Sequence, residues 1–225
     1  MNRRMLALFG GTFDPIHFGH LRAALEIFEH FKCDELRLIP SNHPPHREKP
    51  LAHAKARFEM LKRAVKHSPL TVDDCEIKRE GPSYSVDTLR TLRQEYPEYS
   101  LNMVLGLDAF LKLPTWHEWE KLIELANIIV MHRAGWEIPQ SGMIAELLEK
   151  QSLSNTEELR NFTAGKIVSH RITMLEISGT HIRTLLKAGS SVQFLLPETV
   201  LEYIQQQGLY QDDASQSFLK QEEET

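Results

Sequence analysis

The sequence predicts an α/β fold of the Rossmann-like kind, an open and mostly parallel sheet with helices on both faces. Two observations predict it. Short apolar segments alternate along the chain with amphipathic segments of helical length, which is the order of successive βαβ units. The apolar segments are continuous rather than interrupted by polar residues, which is typical of strands that a parallel sheet buries on both faces.

The first part of the chain shows the clearest alternation. Met5–Phe9 is an apolar segment that ends at Gly10-Gly11, and Leu36–Ile39 is another that ends at Pro40. Between and after them, apolar residues recur at the spacing of one helical face. The predicted elements are, in order, strand Met5–Phe9, helix His20–Phe31, strand Leu36–Ile39, helix Ala54–His67, strand Leu70–Val72 and a helix marked by Val86, Leu89 and Leu92.

The remaining part continues the pattern with one interruption. Residues Trp136–Gly165 have an irregular apolar pattern, which indicates an inserted subregion with one helix at Ile144–Lys150. Glycines at the last two helix ends are typical stop residues. The other predicted elements are strand Leu101–Leu105, helix Trp119–Leu125, strands Ile128–Met131 and Ile172–Leu175, a helix marked by Ile182, Leu185 and Leu186 that ends near Gly189, and helix Val200–Gln206 before Gly208.

Length and composition narrow the class of protein. The 225 residues are predicted to form one domain over 1–210, followed by a disordered acidic tail at 211–225. The chain has 26 Lys and Arg against 31 Asp and Glu, a net charge of −5, which disfavours a nucleic-acid-binding role. No apolar run approaches the roughly 20 residues of a membrane span. Cys33 and Cys75 form no disulfide framework, so we expect a cytoplasmic protein with reduced thiols.

The segment Gly10–His20 carries the first chemical signal. It joins a predicted strand to a predicted helix, which is where open parallel sheets bind ligands. Gly10 and Gly11 let backbone N–H groups approach an anion, and the following helix directs its positive end to the same place. His17 and His20 are three residues apart, so their rings can share one side of the helix. Two imidazoles there suit phosphate chemistry, and bound phosphates would favour their cationic form.

Each part of this segment also has an ordinary interpretation. Gly10-Gly11 alone is a plain turn, and His17 with His20 alone would be surface histidines or two ligands of a zinc ion. A zinc site needs a third and usually a fourth ligand, and the isolated cysteines do not supply them. We therefore predict no metal site built from protein side chains. The complete eleven-residue string in its strand–loop–helix setting favours a phosphate site.

A second phosphate signal lies far along the chain, at Ile177–Arg183. It follows a predicted strand and opens a helix, which Ser178 or Thr180 can cap. The free N–H groups of that helix and the guanidinium fork of Arg183 suit phosphate oxygens. The ordinary alternative is a capped helix beside a surface arginine.

These strings together resemble a known family. Residues 10–20, Gly-Gly-Thr-Phe-Asp-Pro-Ile-His-Phe-Gly-His, resemble the signature of the nucleotidyltransferase superfamily that includes nicotinate and nicotinamide mononucleotide adenylyltransferases. Residues 177–183 resemble the ISxTxxR motif of that family, and residues 106–108 resemble its GxD element, which orients the ATP ribose. Without the resemblance, Asp108 would be a helix cap. The resemblance implies that His17, His20 and Arg183 are catalytic and that ATP is bound by Gly10, Gly11, Thr12, Phe13, Gly106, Asp108, Ser178, Thr180 and Arg183.

The same resemblance implies a mononucleotide site. Ser41-Asn42-His43-Pro44-Pro45-His46-Arg47 resembles the NxPPH(R/K) loop, which would place His46 and Arg47 beside the substrate phosphates. Residues 83–89 resemble the SYTxDTL segment, where Ser85 replaces threonine and keeps the hydroxyl that helps hold the pyridine carboxylate. Residues 114–119 resemble the stretch that binds the nicotinate ring. Trp116 would stack on the ring, and His117, often Tyr in the family, would contribute backbone contacts.

The resemblance implies a transferase of NAD biosynthesis. It would convert ATP and nicotinate mononucleotide into deamido-NAD and pyrophosphate, by in-line attack of the 5′-phosphate on the α-phosphate of ATP. Mg²⁺ would arrive with ATP, held mainly by phosphates and water. ATP and the mononucleotide would be the partners, without nucleic acid or membrane, for a monomer or a small homo-oligomer.

Several alternatives remain open at the level of sequence. Nicotinamide mononucleotide is a rival substrate, because the two differ by one charged group. Pantetheine-phosphate adenylyltransferases share the first loop but are shorter and do not account for Trp116 and Ser83–Leu89. Class I aminoacyl-tRNA synthetases share an HxGH motif, but this chain lacks the Lys-Met-Ser-Lys-Ser string, which disfavours that class. A non-enzymatic nucleotide sensor would keep Arg183 and the glycines without needing both histidines.

Overall fold

A computed structural model describes residues 3–43, 50–133 and 139–211. The strands are β1 Met5–Gly11, β2 Glu35–Pro40, β3 Thr71–Val72, β4 Ser100–Gly106, β5 Asn127–His132 and β6 Ile167–Arg171. The α-helices are α1 Phe18–His30, α2 Ala54–Val65, α3 Cys75–Lys78, α4 Ser85–Glu95, α5 Leu107–Leu111, α6 Trp119–Leu125, α7 Met143–Gln151, α8 Gly179–Lys187 and α9 Glu198–Gln206. Short 3₁₀ helices span Leu113–Thr115 and Thr156–Asn161.

The strands form one sheet in the order β3-β2-β1-β4-β5-β6, and every pairing within it is parallel. From β1 the chain proceeds to β2 and β3 on one side, and it then returns to β4 on the other side of β1. The order therefore reverses between β1 and β4. In open parallel sheets, such a reversal leaves a crevice at the carboxyl ends of the two strands, and ligands bind there.

The sheet separates two hydrophobic layers. Alternate residues of β1 point to opposite faces, so that Ala7 and Phe9 pack with the layer containing α1, α2 and α9, whereas Leu6 and Leu8 pack with the layer containing α4 and α6. The longer helices bury apolar residues in these layers, such as Ala23, Ala24 and Ile27 in α1 or Val86, Leu89 and Leu92 in α4. The predicted fold class is thus confirmed, with a sheet that is entirely parallel among the described strands.

One predicted strand is wrong. We expected a strand at Ile172–Leu175, but β6 is Ile167–Arg171, which pairs with β5 through Ile167 opposite Ile128 and Val168 opposite Ile129. Both Ile167 and Val168 are 1% exposed, whereas Met174 is 51% exposed. Because β6 has only two buried apolar residues and then continues as Ser-His-Arg, its apolar signal is weaker than that of the segment after it.

The other expected elements are present, with ends that differ by a few residues. The helix predicted at Ile144–Lys150 is α7, whereas α3 and α5 were not predicted because one or two turns are too short to show a helical period. Residues 136–138 of the expected insertion and residues 212–225 of the expected tail lie outside the described residues. The division of the chain into one domain and a tail stays a prediction.

Both cysteines are thiols in the structure. Burial is the main cause that raises the pKa of Cys33 and of Cys75 to about 12. Each is therefore protonated at neutral pH, when a thiol is a poor nucleophile. Among the described residues, no helix is long and apolar enough to cross a bilayer.

Candidate active site

A cavity of about 1070 Å³ opens at the crevice between the carboxyl ends of β1 and β4. The first loop after β1 and the start of α8 contribute to its wall, together with the loops that lead into α4 and α5 and the segment before α6. His46 and Arg47 lie outside the described residues. The predicted site residues that line the cavity are Gly10, Gly11, Thr12, Phe13, His17, His20, Ser85, Gly106, Asp108, Trp116, His117, Ser178, Thr180 and Arg183.

The first loop folds back on itself around Phe13. This residue is 2% exposed and has a φ of 50°, a left-handed conformation that non-glycine residues rarely adopt. Its ring lies so close to Gly11 that an added Cβ there would be 2.8 Å from the Phe13 Cζ atom. The ring also meets the His20 imidazole edge to face, at 5.1 Å between centroids. Phe13 therefore shapes the predicted ATP loop by packing beneath it.

The two histidines stack at the start of α1. His17 occupies the N-cap position, and its ring lies 3.7 Å from the ring of His20 at an angle of 23°. Gly19 leaves room for this arrangement, because a Cβ there would be 3.0 Å from His17 Nδ1. The two rings thus lie on the same side of the helix, as predicted.

Burial determines the ionisation of His17. The residue is 4% exposed, and desolvation lowers its pKa to about 4, so that it is neutral at pH 7 in the free protein. Its Nδ1 atom is buried and has no hydrogen-bond partner among the described residues. This ring is therefore neutral in the free protein. That bound phosphates favour its cationic form stays a prediction.

The second phosphate motif lies directly against the first. Ser178, rather than Thr180, caps α8, since its Oγ accepts the His181 N–H at 3.2 Å. Arg183 Nη1 donates to the Asp14 carbonyl oxygen at 2.6 Å, and Nη2 donates to Thr180 Oγ1 at 3.2 Å. The structure therefore places Arg183 beside the first loop, on the same cavity as both histidines.

A buried arginine that we did not predict supports the first loop from below. Arg57, in α2, is 1% exposed. Its guanidinium donates to the carbonyl oxygens of Thr12 at 2.6 Å, Ser41 at 2.6 Å and Ala52 at 3.1 Å. Burial lowers its pKa, but an arginine remains charged at neutral pH. Its place on the buried face of α2, one turn before Met60 and Leu61, is the sequence signal that identifies it.

The first loop also carries a buried carboxylate, which we did not single out. Asp14 is 7% exposed. Its carboxylate accepts hydrogen bonds from Leu51 N at 2.8 Å, Ala52 N at 3.1 Å and the Tyr210 hydroxyl at 2.6 Å. Nothing local in the sequence indicates the last contact, because Tyr210 is 196 residues away.

The predicted pyridine site occupies another part of the wall. Ser85 is the first residue of α4, Trp116 follows the 3₁₀ helix Leu113–Thr115, and the His117 ring lies 4.3 Å from the ring of Tyr84. Ser83 Oγ accepts the N–H groups of Asn42 at 2.8 Å and His43 at 3.2 Å. This contact joins the loop after β2 to the segment before α4.

A buried carboxylate lies beneath this part of the site. Glu76 accepts a hydrogen bond from Thr88 Oγ1 at 2.9 Å, and its pKa is raised above the ordinary value, mainly by burial. Both residues line the cavity. Neither residue was predicted as a site residue, although Thr88 belongs to the segment 83–89.

The end of β4 supplies Gly106 and Asp108. Gly106 is the N-cap of α5, so Asp108 lies inside the helix and is not its cap. A Cβ added to Gly106 would meet nothing within 4 Å, so the glycine leaves open space in the cavity wall. The ordinary interpretation of Asp108 as a cap is therefore wrong.

The arrangement brings hydrogen-bond donors to one end of the cavity. His17, His20 and Arg183 all line it, and the Arg57 charge lies behind the loop. Preorganised donors of this kind bind phosphate oxygens and stabilise charge that develops on them. Among residues 3–43, 50–133 and 139–211, no three His, Cys, Asp or Glu side chains are grouped to hold a metal ion, so the zinc interpretation of His17 and His20 finds no third ligand there.

Comparison with known proteins identifies relatives along most of the chain. The cytidylyltransferase-like family model matches residues 8–185. The chain is 46% identical over 210 residues to the probable nicotinate-nucleotide adenylyltransferase of Acidithiobacillus ferrooxidans, which covers 92% of this chain and 95% of the relative. It is also 46% identical to the protein of the same name from Pseudomonas syringae pv. tomato, with 92% and 94% covered.

A solved structure has the same fold. Nicotinic acid mononucleotide adenylyltransferase from Plasmodium falciparum, complexed with NaAD, superimposes with a TM-score of 0.71. The match covers 92% of this chain and 97% of the other at 20% sequence identity. At this identity the likeness supports the fold alone.

Proposed function

This chain belongs to the nicotinate-nucleotide adenylyltransferase family, and we propose that it transfers the adenylyl group of ATP to nicotinate mononucleotide, giving deamido-NAD and pyrophosphate. It is thus a nucleotidyltransferase of NAD biosynthesis. The observation that carries the proposal is the convergence of His17, His20 and Arg183 on one cavity, although Arg183 is far from the histidines along the chain.

The reaction needs placement more than proton transfer. The 5′-phosphate of the mononucleotide is already an anion, so no side chain has to deprotonate it. One of its oxygens forms a bond to the α-phosphorus of ATP while the bond from that phosphorus to the α–β bridging oxygen breaks, and the electron pair leaves with pyrophosphate. Holding two mutually repelling anions in line at the crevice is therefore the main task of the protein.

The histidine pair is suited to the charge on the α-phosphate. A neutral imidazole can donate one N–H, and His17 is neutral in the free protein. By the precedent of oxyanion holes, each such donor is worth about 3–4 kcal/mol in the transition state. We propose that His17 and His20 stabilise this charge. Arg183, whose guanidinium fork fits phosphate oxygens, would stabilise the departing pyrophosphate.

The remaining predicted residues divide between the two substrates. Gly10, Gly11 and Thr12 would approach the phosphates of ATP through the backbone of the first loop, while Asp108 would hold its ribose. Trp116 would stack on the pyridine ring, and Ser85 would donate to its carboxylate. Support for this division is that these two groups of residues line one continuous cavity.

We propose that Mg²⁺ takes part as a companion of ATP. When bound, it would neutralise part of the triphosphate charge. At the phosphate end, His17, His20 and Arg183 offer nitrogen atoms and N–H donors. The Asp14 carboxylate also lies there, but its oxygens already accept hydrogen bonds from Leu51, Ala52 and Tyr210. Because Mg²⁺ prefers oxygen ligands, phosphates and water would hold the ion rather than these nitrogen-bearing side chains.

We further propose that the enzyme acts in the cytoplasm, as a monomer or a small homo-oligomer. The two free thiols are compatible with a reducing compartment. Light scattering of the purified protein measures the oligomeric state directly.

Pyrophosphate release tests the proposed reaction. With ATP and nicotinate mononucleotide the enzyme should release pyrophosphate, and with nicotinamide mononucleotide it should do so with a lower kcat/KM. A protein that binds ATP but releases no pyrophosphate with either mononucleotide would be a nucleotide sensor, and the proposal would be wrong.

The role of His20 is tested in the same assay. His20→Ala should lower kcat by about 100-fold or more while ATP still binds, because one preorganised donor is lost. His67→Ala is the matched control, since this exposed histidine follows α2 and does not line the cavity. Unchanged turnover in the His20 variant would remove that residue from the mechanism.

A further inference from the structure

Asp14 connects four segments around the phosphate end of the cavity. Its carboxylate accepts hydrogen bonds from the backbone of Leu51 and Ala52 and from the Tyr210 hydroxyl. Its carbonyl oxygen accepts one from Arg183. The first loop, the segment before α2, helix α8 and the turn after α9 therefore meet at one residue.

The Asp14 carboxylate lies close enough to Arg183 to attract its charge. Its Oδ2 atom lies 3.8 Å from Arg183 Nη1, which is hydrogen-bonded to the carbonyl oxygen of the same residue at 2.6 Å. A buried carboxylate that lacks donors gains free energy by pairing with the nearest cation. Any loss of donors to Asp14 would thus draw the guanidinium toward the carboxylate and away from the phosphates.

Tyr210 supplies the only side-chain hydroxyl that donates to this carboxylate in the part of the chain that the structure describes. The turn after α9 positions it, with Gly208 and Tyr210 at φ values of 59° and 64°. Burial, together with the nearby Asp14 charge, raises the pKa of Tyr210, so its hydroxyl keeps its proton and remains a donor at neutral pH. The ring packs against the hydrophobic layer that contains α1 and α2.

We propose that Tyr210 is a positioning residue for adenylyl transfer, whose hydroxyl binds the Asp14 carboxylate and so keeps Arg183 available to the phosphates of ATP. The inference rests on the proposed function for the identity of the anion. It assigns a role in the ATP site to a residue near the end of the described chain, outside both phosphate motifs.

Tyr210→Phe is the direct test, because it removes one oxygen atom and leaves the ring. The KM for ATP should rise about tenfold, which is the scale of one hydrogen bond to a charged group. The KM for nicotinate mononucleotide should change less than about twofold, since its ring and phosphate do not depend on Arg183 in the ground state. A role in stability alone would not separate the two substrates in this way.

Two further variants make the test specific. Tyr203→Phe, on α9, is the matched control, because that ring packs beneath Arg63 at 4.7 Å and does not contact Asp14; its KM for ATP should equal that of the wild type. In an Arg183→Gln background, which removes the charge, Tyr210→Phe should have less than about half of its effect on log KM for ATP, because the two residues are coupled.

The outcomes are distinguishable. An unchanged KM for ATP in a folded Tyr210→Phe protein, or the same increase with and without Arg183, would overturn the inference. If the wild type releases no pyrophosphate, the proposed function fails instead. Calorimetric titration with ATP alone then decides the present inference, which predicts about tenfold weaker binding by the Phe variant.

Discussion

Replacing Gly179 with alanine tests whether the two phosphate motifs depend on their contact. Gly179 is the first residue of α8, and its Cα lies against the first loop. An added Cβ would be 2.8 Å from the Asp14 carbonyl oxygen and 3.4 Å from Arg183 Nη1. The first distance is about 0.6 Å below an ordinary van der Waals contact. Because the Asp14 atom belongs to the backbone, either α8 or the first loop must move.

The cost of this change follows from the contact. Overpacking typically costs about 1–3 kcal/mol, and replacing glycine by alanine regains about 0.4–1 kcal/mol through the unfolded chain. We expect a net loss of about 1–2 kcal/mol in the free energy of unfolding, and a Tm lower by about 2–8 °C for a chain of this size. Since the movement displaces Arg183 relative to the first loop, kcat/KM for ATP should fall by about 10- to 100-fold.

Thermal unfolding and pyrophosphate release measure the two effects separately. Thr184→Ala serves as the control on the exposed face of the same helix, and it should retain wild-type activity. A Gly179→Ala protein with the wild-type KM for ATP and the wild-type kcat would refute the reasoning. It would mean that the position of α8 against Asp14 does not matter for catalysis.

Two other predictions concern His17 and Trp116. Because burial lowers the pKa of His17 from 6.5 to about 4, the unfolded chain binds more protons between these pH values. The free energy of unfolding should therefore decrease by up to about 3 kcal/mol as the pH falls from 6.5 to 4. Urea unfolding at several pH values checks this, and His17→Asn should flatten the dependence. Trp116→Ala should raise the KM for nicotinate mononucleotide much more than the KM for ATP, through loss of stacking; equal increases would contradict the assignment of the ring site.

The accuracy of the sequence predictions depended on how local each signal was. The strand Met5–Phe9 and the helix Trp119–Leu125 were predictable because their apolar patterns are contained within the elements themselves. Strand β6 was misplaced because most of what makes it a strand is its pairing with β5, which is not visible in five residues of sequence. The polar residues of the first loop were found through a contiguous string.

The supporting groups of the site have a different origin. Arg57 could be noticed as a charge on an apolar helix face, but its acceptors at Thr12 and Ser41 belong to other loops. The hydrogen bond between Tyr210 and Asp14 joins residues that no motif connects. Such contacts arise from the packing of elements distant in sequence, so they could not be predicted from either segment alone.

The linear order of residues was enough to specify the parallel sheet, the loop at the end of β1 and the residue types that suit phosphate transfer. Folding determined the properties that depend on surroundings: the neutral state of His17, the approach of Arg183 to Asp14, and the buried charge of Arg57 beneath the loop. The physical reason is that apolar periodicity and helix capping act over a few neighbouring residues, whereas desolvation and long-range hydrogen bonds exist only after separate segments have packed together.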